Sequence, residues 1–292
     1  MPGMAHQIAP HSSESVRRSR TILQAMALAC AGAIGMAETP ERVVSINMCT
    51  DQLAMDLAGP GQLISVTRMI QRDGATDVTE QARQFHGNTG RAEEVYLLKP
   101  DLVLAGTFTA PATIQMLQSL GIRVEQFAPT TSLDEISQQV RRMGALLGRK
   151  AKAAEIVTDF ETKRAALTRR DTRRPRAALI YVNSFAPGTN TLANDILTSA
   201  GFNNIAAEAG LNSVSRLPLE QLIMLAPEVI ISGHDYPGAA RAEDSLTHPA
   251  LRAIQGSYFA GELTSPDWTC GTPRTLRALQ DLAVLRDKVL NQ

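Results

Sequence analysis

Aromatic side chains are scarce in this chain. They make up 4% of 292 residues, with one Trp, four Tyr and seven Phe. With so few, each aromatic outside the core is informative. Charge of one sign is also lacking: 29 basic residues balance 29 acidic ones, so the basic footprint of a nucleic-acid binder is missing. Only 3 cysteines and 5 histidines occur, with no Cys-x-x-Cys pair. His86, His234 and His248 lie beyond the N-terminal segment, and none is paired at helical spacing. That argues against a dedicated Zn or Mn binder, which needs several His and carboxylate ligands. No Walker loop, Gly-x-Ser-x-Gly or His-Glu-x-x-His is found. A secreted enzyme using Cys49 or His234 remains a rival reading, but neither has a general base at a readable spacing.

What is present begins with an export signal, expected over residues 1–37. Arg17, Arg18 and Arg20 form a basic region, Thr21 to Gly35 an Ala-rich apolar one, and Gly35-Met-Ala37 supplies small residues before a cut. The apolar region is too short for a membrane span and carries Gln24. Leu28-Ala-Cys30 offers a competing lipid-anchor site, and Met4 a competing start. Cys49 and Cys270 then remain in an oxidising compartment.

At 44% hydrophobic, the chain can bury a sizeable core. Its organisation shows in a repeat. Ala92-Glu-Glu-Val-Tyr-Leu-Leu-Lys-Pro-Asp-Leu-Val-Leu-Ala105 has the pattern of Leu219-Glu-Gln-Leu-Ile-Met-Leu-Ala-Pro-Glu-Val-Ile-Ile-Ser232. Glu93 matches Glu220, Pro100 matches Pro227 and Asp101 matches Glu228. Each copy reads as an amphipathic helix, a Pro that stops it and a buried β-branched run. Upstream, Arg42–Asn47 leading into Gln52–Ala58 parallels Arg176–Asn183 leading into Thr191–Leu197. Between the copies, 149–170 reads as one helix without Gly or Pro, with Ala153, Ile156/Val157, Phe160 and Leu167 on one face. The fold class expected is α/β: two similar lobes with mainly parallel sheets joined by one long α-helix. The divisions fall at 38–148, 149–170 and 171–292. A helix absorbs a hinge rotation poorly, so small lobe movement is expected.

Strands are expected at Val43–Ile46, Leu63–Thr67, Asp101–Ala105, Arg123–Phe127, Ala178–Val182, Val229–Ser232 and Glu262–Thr264. Thr50 and Asp51 look like N-caps for a helix from about Gln52, and Ser132-Leu-Asp-Glu135 reads as a capping box. Residues 68–89 read as a long loop or short helices.

These residues resemble the class III periplasmic binding proteins of ABC importers, a family that includes vitamin B12, iron-siderophore and haem binders. The likeness runs from about Pro40 to the C-terminus. It rests on Arg42-Val-Val-Ser, Glu93 followed by Leu98-Lys-Pro-Asp-Leu-Val103, Leu120-Gly-Ile122, Leu146-Leu-Gly148, and Asp267-Trp268 before Pro273-Arg274. It implies a periplasmic monomer without catalytic activity or resident cofactor. That monomer would capture a cobalamin-like corrinoid or a ferric chelate, with haem as the alternative, and deliver it to an importer permease. Glu93 and Glu220 match the family's acidic residues, one per lobe, that meet arginines on the permease. Capping of their helices is the competing role.

Ligands of open α/β sheets sit outside the carboxyl ends of the strands. That rule selects loops: Met48 to Asp51 with Cys49 and Thr50, Arg68-Met69, Thr107-Phe108, Ser184-Phe185, His234 to Tyr236, and Trp268 to Cys270. Phe108, Phe185, Tyr236 and Trp268 offer flat apolar surface for a macrocycle. Arg68 is a candidate partner for a ligand carboxylate. His234 and Tyr236 are candidates to reach a metal centre. Three readings of Cys49 and Cys270 stay open: a disulfide across the cleft, contacts to a metal-bearing ligand, or two inert thiols.

Overall fold

The computed structural model describes residues 39–233 and 257–291, together with positions 3, 249 and 254. The export segment, Cys30, and the loop carrying His234, Tyr236 and His248 lie outside the described residues. From Pro40 onward the chain forms one compact unit.

The first lobe runs β1 (Val43–Ser45), α1 (Met48–Leu57), β2 (Leu63–Thr67), α2 (Thr79–Ala82), β3 (His86–Asn88), α3 (Ala92–Leu97), β4 (Leu102–Gly106), α4 (Pro111–Ser119), β5 (Arg123–Phe127) and α5 (Leu133–Leu146). Its strands pair in the order β3-β2-β1-β4-β5, all parallel. After it comes α6 (Lys150–Leu167), the long helix read from the sequence.

The second lobe follows as β6 (Arg176–Ile180), β7 (Phe185–Pro187), α7 (Leu192–Ser199), β8 (Asn203–Asn204), α8 (Ile205–Glu208), β9 (Val214–Arg216), α9 (Leu219–Leu225), β10 (Val229–Ser232), β11 (Tyr258–Glu262) and α10 (Thr275–Leu290). Strands β11-β10-β6-β8 form its parallel sheet. Strands β7 and β9 make a separate antiparallel ribbon. The strand expected at Glu262–Thr264 lies earlier, at Tyr258–Glu262.

The repeat is built into the hydrogen bonding. Val43 pairs with Leu102 across β1–β4, and Ala177 pairs with Val229 across β6–β10. The matched helices α3 and α9 end alike. Lys99 and Ala226 have φ of 49° and 45°, and each precedes a Pro, which disfavours right-handed helix at that position. Helix termini leave carbonyls unsatisfied. Arg42 donates to the Leu98 and Lys99 carbonyls at 2.7 and 3.0 Å. Arg176 donates to the Leu225 and Ala226 carbonyls at 2.6 and 3.3 Å. Asp101 accepts from the Arg42 N–H, as Glu228 accepts from the Arg176 N–H.

Alternation along the strands divides the core. Val43, Leu102 and Leu104 of the first sheet face a cluster that continues through Ile136, Val140, Val157 and Phe160 to Leu179, Ile196, Ile231 and Leu282 of the second lobe. Val44, Val103 and Ala105 face the opposite way, under α3 and α4. Ala178, Ile180 and Ile230 do the same in the second lobe. Helix α6 therefore belongs to an apolar layer common to both lobes. Its Ala153, Val157 and Phe160 are buried, and Ile156 and Leu167 pack partly against the same cluster.

Candidate functional site

The tightest part of the site is the passage from β1 to α1. Asn47 is the N-cap of α1, and its Oδ1 accepts from the Cys49 and Thr50 N–H groups at 3.0 and 3.2 Å. The helix thus starts four residues before the expected Gln52, and Thr50 and Asp51 lie inside it. The cap position requires a close neighbour without a side chain. A Cβ at Gly106, the last residue of β4, would stand 2.7 Å from Asn47 Nδ2. The second lobe has the counterpart, where a Cβ at Gly233 would stand 2.9 Å from Tyr181 Cδ1.

A cavity of about 170 Å³ opens at the carboxyl ends of β1, β4 and β5. Asn47, Cys49, Thr50, Gly106, Thr107 and Phe108 form one side of it. Phe127 to Thr130 and Gln139 of α5 form another, and Thr269 and Gly271 arrive from the second lobe. These groups offer hydroxyls, amides, backbone and aromatic faces. Among the described residues, no side chain lining the cavity is ionised. Phe108 is 88% exposed, so a large apolar surface already faces solvent at its mouth.

Cys49 and Cys270 are joined by a disulfide with Cα atoms 5.1 Å apart, which settles the three readings in favour of the cross-cleft bond. Neither sulfur is then a thiolate for a metal or a nucleophile for catalysis. Helix α6 is consequently not the only covalent link between the lobes. Polar ties surround the disulfide. Arg274 grips Asp56 with two bonds of 2.5 and 2.8 Å and lies 3.4 Å from Asp77. Arg277 reaches Asp77 and Asp267, both at 2.7 Å. The Leu133 N–H, at the start of α5, donates to Asp195 of α7 at 2.6 Å. Gly271 sits so close to Thr130 that a Cβ there would overlap it.

Of the residues selected from sequence, Cys49, Thr50, Thr107 and Phe108 come together around the cavity, and Cys270 is bonded to Cys49 beneath it. Four others are placed elsewhere. Asp51 is fully buried, and its Oδ2 accepts from the Thr67 N–H and hydroxyl at 3.1 and 2.6 Å. Burial pushes its carboxyl up to about 7, against bonds from Ser45 and Thr67 that oppose the rise. Arg68 lies at the surface, on the Gly87 carbonyl and 3.5 Å from Glu94. Phe185 starts the β7–β9 ribbon, half-exposed and outside the cavity. Trp268 is buried in the common core, and its indole N–H has no partner among the described residues. Asn47, Gln139 and Thr130 were not selected. Gly106 directly after a buried run was the one sequence signal for the Asn47 contact, since Gly there marks close approach.

Two α/β lobes with facing strand ends, a joining helix and a cavity between them define a two-lobe solute-binding protein. The chain belongs to the periplasmic binding protein family, whose pattern it matches over residues 43–255. It is 29% identical over 209 residues to a "Cobalamin-binding protein" of Halobacterium salinarum (strain R1). That alignment takes in 69% of this chain but 56% of the relative, so the chain spans about half the length of the curated relative. Among solved structures, the apo periplasmic heme-binding protein RhuT from Roseiflexus sp. RS-1 superposes with a TM-score of 0.69 at 24% identity, covering 85% of this chain and 98% of that one. The vitamin B12 binding protein BtuF of Vibrio cholerae gives 0.67 at 19% identity, covering 87% and 99%. At such identities the structural likeness speaks for the fold.

Proposed function

We propose that this chain is an exported, periplasmic, non-catalytic binding protein. It holds a large metal chelate between its lobes and delivers it to an ABC importer. The ligand is a neutral, amide-bearing macrocycle of the cobalamin type, ahead of an iron-siderophore complex or haem. The observation that carries this is the cavity beside the disulfide, lined among the described residues by Asn47, Gln139, threonine hydroxyls and Phe108, with no ionised side chain among them. Amides and hydroxyls match the amide rim of a corrinoid, whereas haem propionates call for cations. At about 170 Å³ the cavity takes one edge of such a ligand, since whole-ligand clefts run to several hundred Å³. The cobalamin-binding relative supports the same choice. Glu93 and Glu220, both exposed on matched helices, are the docking acids of this reading.

Calorimetric titration of the oxidised protein with cyanocobalamin, haemin and a panel of ferric siderophores tests it. Stoichiometric binding of cyanocobalamin without turnover is expected. Binding of haemin alone would refute the neutral-ligand choice, and turnover of the chelate would refute the non-catalytic one.

A further inference from the structure

Large apolar side chains that stand in solvent cost hydration free energy, so the most exposed of them are worth locating. Three exceed all others among the described residues: Phe108 at 88%, Met224 at 85% and Leu97 at 77%. Phe108 is at the ligand cavity. The other two occupy the same position in the two copies of the repeat, on α9 and α3. They are not alone there. Tyr96 and Ile223, the residues before them, are 49% and 44% exposed. Glu93 and Glu220 precede Leu97 and Met224 by one turn, so each acid shares a helix face with its two apolar neighbours. Both acids are exposed and neither forms an ion pair among the described residues. Glu94 shows the contrast, tied to Arg68 and to Thr89.

Topology places the two acids at the cleft ends of their helices, with Leu97 and Met224 one turn further along the same face. Helix α3 enters from the carboxyl end of β3 and returns to the start of β4, so Glu93 is at the cleft end. Helix α9 follows β9, whose Arg216 pairs with Phe185, and Phe185 bonds back to Tyr181 just beyond β6. Glu220 is therefore also near the carboxyl end of its sheet.

We propose that Glu93-Tyr96-Leu97 and Glu220-Ile223-Met224 are two equivalent docking faces, each combining a free carboxylate with an apolar knob. Two like faces on one chain fit a partner with two like sites, which a symmetric pair of subunits supplies. The occupant is the permease dimer of the importer, presenting a cation beside an apolar socket to each lobe. This rests on the delivery reading above and adds the apolar half of the contact, which no charge pairing supplies. A buried apolar anchor ringed by polar contacts is the usual source of interface affinity.

The test uses the full exported chain and its purified importer in nanodiscs. Three variants are compared with wild type at low and high salt: Leu97→Ser with Met224→Ser, Glu93→Gln with Glu220→Gln, and all four together. The apolar pair should weaken importer binding by about tenfold or more at both salts, with unfolding midpoint and cyanocobalamin affinity unchanged. The glutamate pair should lose affinity mainly at low salt, because screening already weakens its contribution at high salt. Wild-type binding by the apolar pair, with loss in the glutamate pair, overturns this inference and leaves delivery standing. Wild-type binding by all three overturns delivery as well. Light scattering covers the remaining occupant: a dimer of the free chain that these substitutions disperse would assign the faces to a second copy and overturn the proposal.

Discussion

The two lobes agree at one end and differ at the other. Away from the cleft, Arg42 and Arg176 hold the last carbonyls of α3 and α9, and Asp101 and Glu228 hold the strand starts, nearly bond for bond. At the cleft the copies diverge. The first lobe turns from β1 straight into α1, with Asn47 as cap and Cys49 in the first turn. The second lobe inserts a short 3-10 turn and β7 before Thr191 caps α7. One wall is thus a capped helix start bonded covalently to the opposite lobe, and the other carries a two-stranded ribbon. The scaffold ends are alike; the cleft ends are not.

Breaking the covalent tie gives the largest effect. Cys49→Ser with Cys270→Ser releases a constraint spanning 221 residues, and denaturant unfolding should show a loss of about 2–5 kcal/mol. An unchanged midpoint would mean that the ion pairs and common core hold the lobes alone.

The next effect is electrostatic and belongs to the first lobe. Folding raises the Asp51 carboxyl from 3.8 to about 7, so the folded protein binds that proton more tightly than the unfolded chain. Its contribution is therefore fully present below about pH 4 and is lost as pH rises through 7. Asp51→Asn, which keeps the acceptor for Thr67, should abolish that slope and raise stability above pH 7. A variant whose pH profile overlays the wild type would refute the buried, protonation-linked role.

Glycine substitutions probe the close approaches at the two strand ends. Gly106→Ala should cost about 1–3 kcal/mol, because Asn47 must leave its cap position or β4 must shift. It should also weaken ligand binding, since Asn47 lines the cavity. Gly233→Ala, against Tyr181, should carry a stability cost of similar size. The smallest effect is expected at the scaffold ends: Arg42→Ala and Arg176→Ala should each cost about 1 kcal/mol, with Arg176 the larger because it also pairs with Glu208. In a Glu208→Gln background the two losses should match, and unequal losses there would break the equivalence of the two copies.

Much of this was legible in the sequence because it is local. Val229–Ser232 and Leu63–Thr67 are β-branched runs, and both form strands over those residues. The matching Pro100 and Pro227 mark equivalent helix ends. What escaped depends on distant partners or on very short elements. His86-Gly-Asn88 and Phe185-Ala-Pro187 are too short to show an alternating pattern, and each becomes a strand only by pairing with another segment. Asn47, Thr50 and Asp51 are all good cap residues, and propensity alone does not choose among them. Asp51 is buried because Thr67, one strand away, supplies its bonds. Trp268 follows a predicted strand end and is selected for the cleft, yet it is buried in the common core. The disulfide required knowing how the lobes face each other.

The long helix, the common core and the disulfide should together hold the cleft at one width. Solution X-ray scattering of the oxidised protein, alone and saturated with cyanocobalamin, tests it most directly. Superimposable curves are predicted, and a fall in the radius of gyration of more than about 1 Å would contradict it.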